Sequence, residues 1–242
     1  MKLTHIALLS TAAVAFGATP ALADPLGATM LAQYFKVADG SDADFPGPTP
    51  IVLDGSMLGS HGLPVGTGSN DIDPMSGEVT WWSPALNPNV IATGSATITL
   101  PYASNMFAPD STGSDDSSFF ETAILTGNFT LASASTVSFN LGSDDDSFIY
   151  VDGVLFGQNP GIHATTTVDF TTPLLAAGNH QLKVFYADRE NVAAYLSLSL
   201  NSQVVVTAGS VPEPASWAMM LGGFGLVGGA MRSRRRASAS FA

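Results

Sequence analysis

The sequence predicts an all-β protein, a single antiparallel β-sandwich set between two apolar end segments that are not part of the fold. Three observations carry this prediction. Apolar residues recur at period two through the second half of the chain, and no long segment has helical apolar spacing. Asp152-Gly153 separates two apolar runs, a hairpin signal because both residues tolerate positive φ. Both ends are apolar, and every acid except Glu213 lies between Asp24 and Val211.

The first segment, residues 1–23, opens Met1-Lys2, continues with an apolar run from Ile6 to Ala18 and closes Ala21-Leu22-Ala23. A basic start, a short apolar stretch and small residues at the A-x-A positions form a secretory signal, with cleavage expected after Ala23. At the other end, Val211-Pro212-Glu213-Pro214 precedes an uncharged stretch, Ala215 to Met231, and then Arg232-Ser233-Arg234-Arg235-Arg236. As a helix that stretch reaches roughly 26 Å, the low edge of a bilayer core. The arginines hold their end in the cytoplasm. Five glycines would weaken the same helix in water by about 1 kcal/mol each relative to Ala, so a membrane setting suits it better.

This order of Pro-Glu-Pro, apolar span and Arg cluster resembles the PEP-CTERM sorting signal of Gram-negative bacteria that make exopolysaccharide. The resemblance implies that an exosortase recognises Pro212, Glu213 and Pro214. The segment 215–231 is then a transient anchor in the inner membrane, and Arg234, Arg235 and Arg236 form the retention signal with Arg232. It speaks to destination, not activity, and it covers residues 211–236.

Between the ends, residues 24–209 are long enough for one substantial core. Val137, Phe139 and Leu141 alternate with Thr136, Ser138 and Asn140; Leu182, Val184 and Tyr186 with Gln181 and Lys183; Leu196, Leu198 and Leu200 with Ser197 and Ser199. Each run gives one buried and one wetter face, as antiparallel sheets require. Asn159-Pro160-Gly161 and Ala177-Gly178-Asn179 bound further strands. The region 39–89 reads as loop-rich, and Asp110–Ser118 as a solvated loop.

Composition narrows the function. The net charge is −12, and only Lys36, Lys183 and Arg189 are basic between Asp24 and Val211. Nucleic-acid binding is excluded, because phosphate neutralisation needs clustered Lys/Arg on the folded part. With Cys 0 there are no disulfides, zinc–thiolate sites or Cys nucleophiles, so any metal must be held by oxygen or imidazole.

Asp144-Asp145-Asp146, bracketed by Ser143 and Ser147, is the most informative run. Adjacent carboxylates repel, which raises their pKa values or calls for a cation. Ca²⁺ favours such oxygen donors, whereas on composition alone such a run is more often a solvated acidic turn. Gly142 to Gly153, with Gly161-Ile162-His163, Ala177 to His180 and Phe185 to Glu190, resembles the signature of protective-antigen-type β-sandwich domains and their fibro-slime relatives. Leu31 to Phe35 resembles their opening strand. The resemblance implies a jelly-roll-type sandwich. In carbohydrate-binding members it further implies a cis peptide within an aspartate pair that holds Ca²⁺, together with an Asn two residues past a Tyr. Here Asp144 and Asp145 match the pair, and Asp188, two after Tyr186, stands in place of the Asn.

Other candidates divide between site and scaffold. Trp82, next to Trp81, is either a sugar-stacking platform or a core aromatic. Arg189-Glu190 reads as a structural ion pair or an exposed couple, with Arg189 closing a loop over the acidic run as the other reading. His163 is a candidate sugar contact, although His163 and His180 read first as hydrogen-bonded turn residues. Asp152 serves the hairpin turn. Glu78, Glu121 and Glu190 have no spacing that signals a glycosidase pair, and Gly-x-Ser-x-Gly, His-Glu-x-x-His and a phosphate loop with Lys are missing, so no enzyme is expected. The expectation is a secreted, exosortase-sorted surface or matrix protein that binds extracellular polysaccharide through Ca²⁺. A structural matrix protein without a ligand site, and a polysaccharide hydrolase, are the alternatives.

Overall fold

Alternation becomes strand wherever only one face is covered, and it disappears where both are. The computed structural model describes residues 28–38, 51–54, 57–106, 119–189, 194–200 and 204–209. The expected signal peptide, the sorting segment with its apolar span, the loop 110–118 and Glu190 lie outside the described residues. Among the described residues no helix is long and apolar enough to cross a membrane.

The described residues form thirteen strands, in order β1 (Thr29–Ala38), β2 (Val52–Leu53), β3 (Gly66–Thr67), β4 (Val90–Thr99), β5 (Tyr102–Asn105), β6 (Phe119–Leu131), β7 (Ser138–Ser143), β8 (Asp146–Val151), β9 (Val154–Asn159), β10 (Thr166–Thr171), β11 (Gly178–Asp188), β12 (Tyr195–Leu200) and β13 (Val206–Ala208). A seven-stranded antiparallel sheet runs β4-β1-β6-β11-β8-β9, with β13 also paired to β6. A four-stranded sheet runs β10-β7-β12-β5. The all-β sandwich expected from the sequence is therefore present, with β7, β11 and β12 where the alternation put them.

The inner faces of the two sheets meet in one core, which includes Met30, Leu125, Phe129, Phe139, Leu141, Val184, Leu196 and Leu198. A second core lies on the other face of the large sheet, under residues 51–90. That segment is loop-rich as expected; its described strands are the two-residue pair β2–β3 and a few isolated bridges. Its role is to be a cap: Ile51, Leu63, Val79, Trp81 and Trp82 pack against Phe35, Phe120, Phe148 and Phe185 of the sheet. Polar ties fix it there. Leu58 N–H donates to the Gly153 carbonyl at 2.8 Å, and Lys183 Nζ donates to the Gly62 carbonyl at 3.2 Å. Inside the cap, the fully buried Glu78 accepts from the His61 and Leu63 backbone N–H groups at 2.8 and 3.1 Å and pairs with the His61 ring. A side chain at Gly59 would sit 2.4 Å from the Glu78 carboxyl carbon, so the loop can close over that acid only at a glycine.

The β8–β9 hairpin turns at Asp152 and Gly153, whose φ values of 51° and 78° are those the Asp-Gly pair was expected to adopt. Asp152 also accepts from Gln181 N–H at 2.8 Å and from His180 Nδ1 at 2.7 Å, so it joins the turn to the start of β11. His180 stacks on Phe129 with ring centroids 5.2 Å apart, and its second nitrogen meets the Ala176 carbonyl. It is hydrogen-bonded, as read from the sequence, but it lies in strand β11 and not in a turn, because the pairing with β6 already begins at Gly178. The Asp152 hydrogen bond raises the His180 pKa, against the opposing effect of burial. A raised folded-state pKa means stabilisation that is complete below the unfolded value of about 6.5 and fades as pH climbs through the folded value. Asp152→Asn should therefore lower the melting temperature more at pH 6 than at pH 8.5. Equal losses at both values would assign the effect to the turn alone.

Candidate functional site

Where the cap and the small sheet both cover the large sheet, β8 and the end of β11 are buried on both faces, and polar groups there must find partners inside the protein. The acidic run lies at this end. Ser143 closes β7 and Ser147 lies near the start of β8; their hydroxyls meet at 2.7 Å. Asn159 Nδ2 donates to Ser143 Oγ at 2.9 Å and to the Thr166 carbonyl at 3.1 Å, so β7, β8, β9 and β10 are clamped around the triplet. Asp144 N–H donates to the Tyr195 carbonyl at 2.9 Å. The Asp144–Asp145 peptide is cis, the geometry implied by the family resemblance.

Each acid then has a distinct setting. Asp145 is fully buried; its Oδ1 accepts from His163 N–H and its Oδ2 from Arg189 N–H, both at 2.9 Å. Burial pushes its pKa up to about 6, against those two hydrogen bonds and with the Asp146 and Asp144 charges adding to the rise. Asp146 points inward, accepting from Gly161 N–H and forming a fully buried ion pair with Arg189 Nε at 2.7 Å. Asp144 is 9 % exposed, with Thr165 Oγ1 at 3.5 Å from its Oδ2.

Asp188 reaches the same end through sheet register. It is the last residue of β11, where Ala187 pairs with Asp146, and the next backbone N–H is the one that Asp145 holds. Its side chain is fully buried. The Tyr186 hydroxyl donates to the Asp144 carbonyl. Burial raises the Tyr186 pKa well above its ordinary value, and the charges of Asp188, Asp145 and Asp144 raise it further. Among the described residues no three His, Cys, Asp or Glu side chains converge as a ready-made metal cage.

Two of the predicted sugar contacts are scaffold instead. Trp82 is 2 % exposed and donates its indole N–H to the Tyr186 carbonyl at 3.0 Å, with Phe185 edge-on at 5.0 Å. It offers no ring face to a sugar, because the cap needs that face for its core. Arg189 is fully buried, paired with Asp146 and lying 5.2 Å from the Trp81 ring centroid. It underpins the acidic run rather than closing over it. His163 is partly exposed and follows the Asn159-Pro160-Gly161 turn beside Asp145. Sequence reading missed the Asp146–Arg189 pair; the single arginine of the middle region was the available signal. Glu78 and Glu121 are held apart, the first by His61 and the second by Lys36 at 3.4 Å.

The PA14 domain model matches residues 76–208, more than half of the chain, and the PEP-CTERM protein-sorting motif matches residues 210–236. No curated protein matches the chain. Among solved structures, the PA14 sugar-binding domain from an RTX adhesin aligns at 18 % identity over 75 % of this chain and 95 % of that one, with a TM-score of 0.39. The epithelial adhesin 9 A domain from Candida glabrata, in complex with Galβ1-4GlcNAc, aligns at 10 % identity over 72 % and 81 %, with a TM-score of 0.31. A β-glucosidase from Kluyveromyces marxianus aligns at 15 % identity over 34 % of this chain, with a TM-score of 0.28, and the match spans 10 % of that enzyme's length.

Proposed function

The chain belongs to the PA14 domain family, and from that premise we propose that it is a cell-surface or matrix adhesin-like module that binds a glycan at the Asp144–Asp145 end of its sandwich with the help of Ca²⁺. The observation that carries this reading is geometric: the end of β11 meets the acidic run, with the Tyr186 hydroxyl on the Asp144 carbonyl, the Arg189 N–H on the Asp145 carboxylate and the buried Asp188 between them in the chain. Buried carboxylates repel one another, and a divalent cation relieves that repulsion. The donor set fits calcium, a hard ion that takes carboxylate and carbonyl oxygens. Asp144, Asp145 and Asp188 would hold the ion, which supplies open coordination positions for neighbouring sugar hydroxyls. His163, partly exposed beside Asp145, is the remaining protein contact proposed for the sugar. The sorting motif at 210–236 supports processing by an exosortase, with delivery to the surface of a Gram-negative, exopolysaccharide-bearing cell.

A calcium titration tests this. At a hundredfold excess over the dissociation constant, binding adds about 2.7 kcal/mol, so the melting temperature should rise by roughly 5–10 °C. Asp145→Ala should abolish the rise. Glycan-array signal should appear with calcium and vanish with a chelator. A melting curve unchanged at millimolar calcium would dismiss the metal, and an array silent in both conditions would dismiss the glycan.

A further inference from the structure

The outer edge of the large sheet plays no part in the acidic site. Among the described residues β4 is its terminal strand, ten residues paired on one side with β1. Ile91 through Thr97 are exposed whichever face they occupy, so neither the small sheet nor the cap reaches over them. The other edges differ. β9 is bridged by the cap through Met57 and Val154, β5 is four residues long, and β10 carries Asp169. Long free edges are ordinarily blunted by Lys, Pro or an inward-pointing charge, because their open N–H and C=O groups accept another strand. β4 has none of these, and no charged residue occurs from Val79 to Pro109; its one irregularity, the register shift between Ala92 and Gly94, leaves Gly94 to Thr99 in regular pairing.

The chemistry of this edge selects a copy of the same chain. Two molecules with net charge −12 repel, and β4 adds no charge of its own to that repulsion. The regular part of β4, beyond the register shift opposite Tyr34 and Phe35, is also self-complementary. Antiparallel pairing about a two-fold axis at Ala96 sets Ala96 opposite itself, Ser95 opposite Thr97 and Gly94 opposite Ile98. Small side chains let the backbones meet, and Ser opposite Thr is a favourable cross-strand pair. We propose that β4 pairs with β4 of a second copy, fusing two large sheets into one continuous sheet across a two-fold axis. The pairing uses no residue of the acidic cluster and stands apart from the glycan reading.

The cysteine-free sequence makes the test specific. Directly opposed residues of antiparallel strands have Cα atoms about 4.5–5.5 Å apart, inside the span a disulfide bridges. The full chain carrying Ala96→Cys should give, on mild oxidation, a reducible band at twice the monomer mass. Met75→Cys, at a cap residue that is 94 % exposed, should give none. Adding Thr97→Lys to Ala96→Cys should cut the dimer several-fold, whereas higher salt should increase it. Circular dichroism matching the parent confirms that each variant is folded. An Ala96→Cys chain that is folded and stays monomeric overturns the proposal. So do an equal yield from Met75→Cys, a band that Thr97→Lys leaves unchanged, or a cross-link at any mass other than the dimer's.

Discussion

Arg189→Met should destabilise the protein by about 3–5 kcal/mol, lowering the melting temperature by roughly 10 °C. Arg189 is fully buried and holds Asp146 at 2.7 Å where both side chains are out of water. Removing the guanidinium leaves the Asp146 carboxylate beside Asp145 and Asp144 with its cation gone. Burial already raises the Asp146 pKa, and the Arg189 charge is the largest influence holding it down. The double variant Arg189→Met/Asp146→Asn separates charge from packing. Replacing both members of a buried pair is often close to neutral, so the double variant should recover most of the loss. A double variant as unstable as the single one would assign the role of Arg189 to its contact with the Trp81 ring instead.

Trp82→Ala should cost a similar 3–5 kcal/mol, the usual range for emptying an aromatic site in a core. Trp82 is the junction of three parts of the molecule. Its ring lies 5.5 Å from Trp81 in the cap and 5.0 Å from Phe185 in β11, and its N–H binds the Tyr186 carbonyl. Tyr186 in turn holds the Asp144 carbonyl. Truncation should therefore expose the 51–90 segment to protease before the sheets unfold. Trp82→Phe, which keeps most of the apolar area and drops the N–H, should lose only about 1 kcal/mol. Equal effects of the two substitutions would make the hydrogen bond, not the packing, the tie between cap and site.

What was legible in the sequence was legible for local reasons. β7 and β12 alternate because one face meets the core and the other is wetter, and Asp152-Gly153 announced its turn by backbone tolerance alone. The same logic fails in β8, where Asp146 through Val151 are all buried and period two has no meaning. It fails again in the cap: Ile51, Leu63, Val79 and Trp81 follow no period because turns and bridges, not a strand, bring them together. The site divides in the same way. Asp144 and Asp145 stood out as neighbours, and Asp188 was found only through the family resemblance. The partner of Arg189 lies 43 residues away, and nothing local in the sequence points to it. Trp82 was read both as surface and as core, because an aromatic pair beside a loop looks the same until the loop folds back over the sheet.

The order in which strands are placed has a consequence for how the molecule forms. β11 is interior to the large sheet, between β6 and β8, and β12 is interior to the small one, between β7 and β5. Both keystones come late in the chain, so a polypeptide emerging from its N-terminus holds two split half-sheets until about residue 200 is free. Contacts of such long sequence separation close slowly. A chain arranged this way can complete neither sheet until nearly all of it is available, so its locking step waits for the last strands.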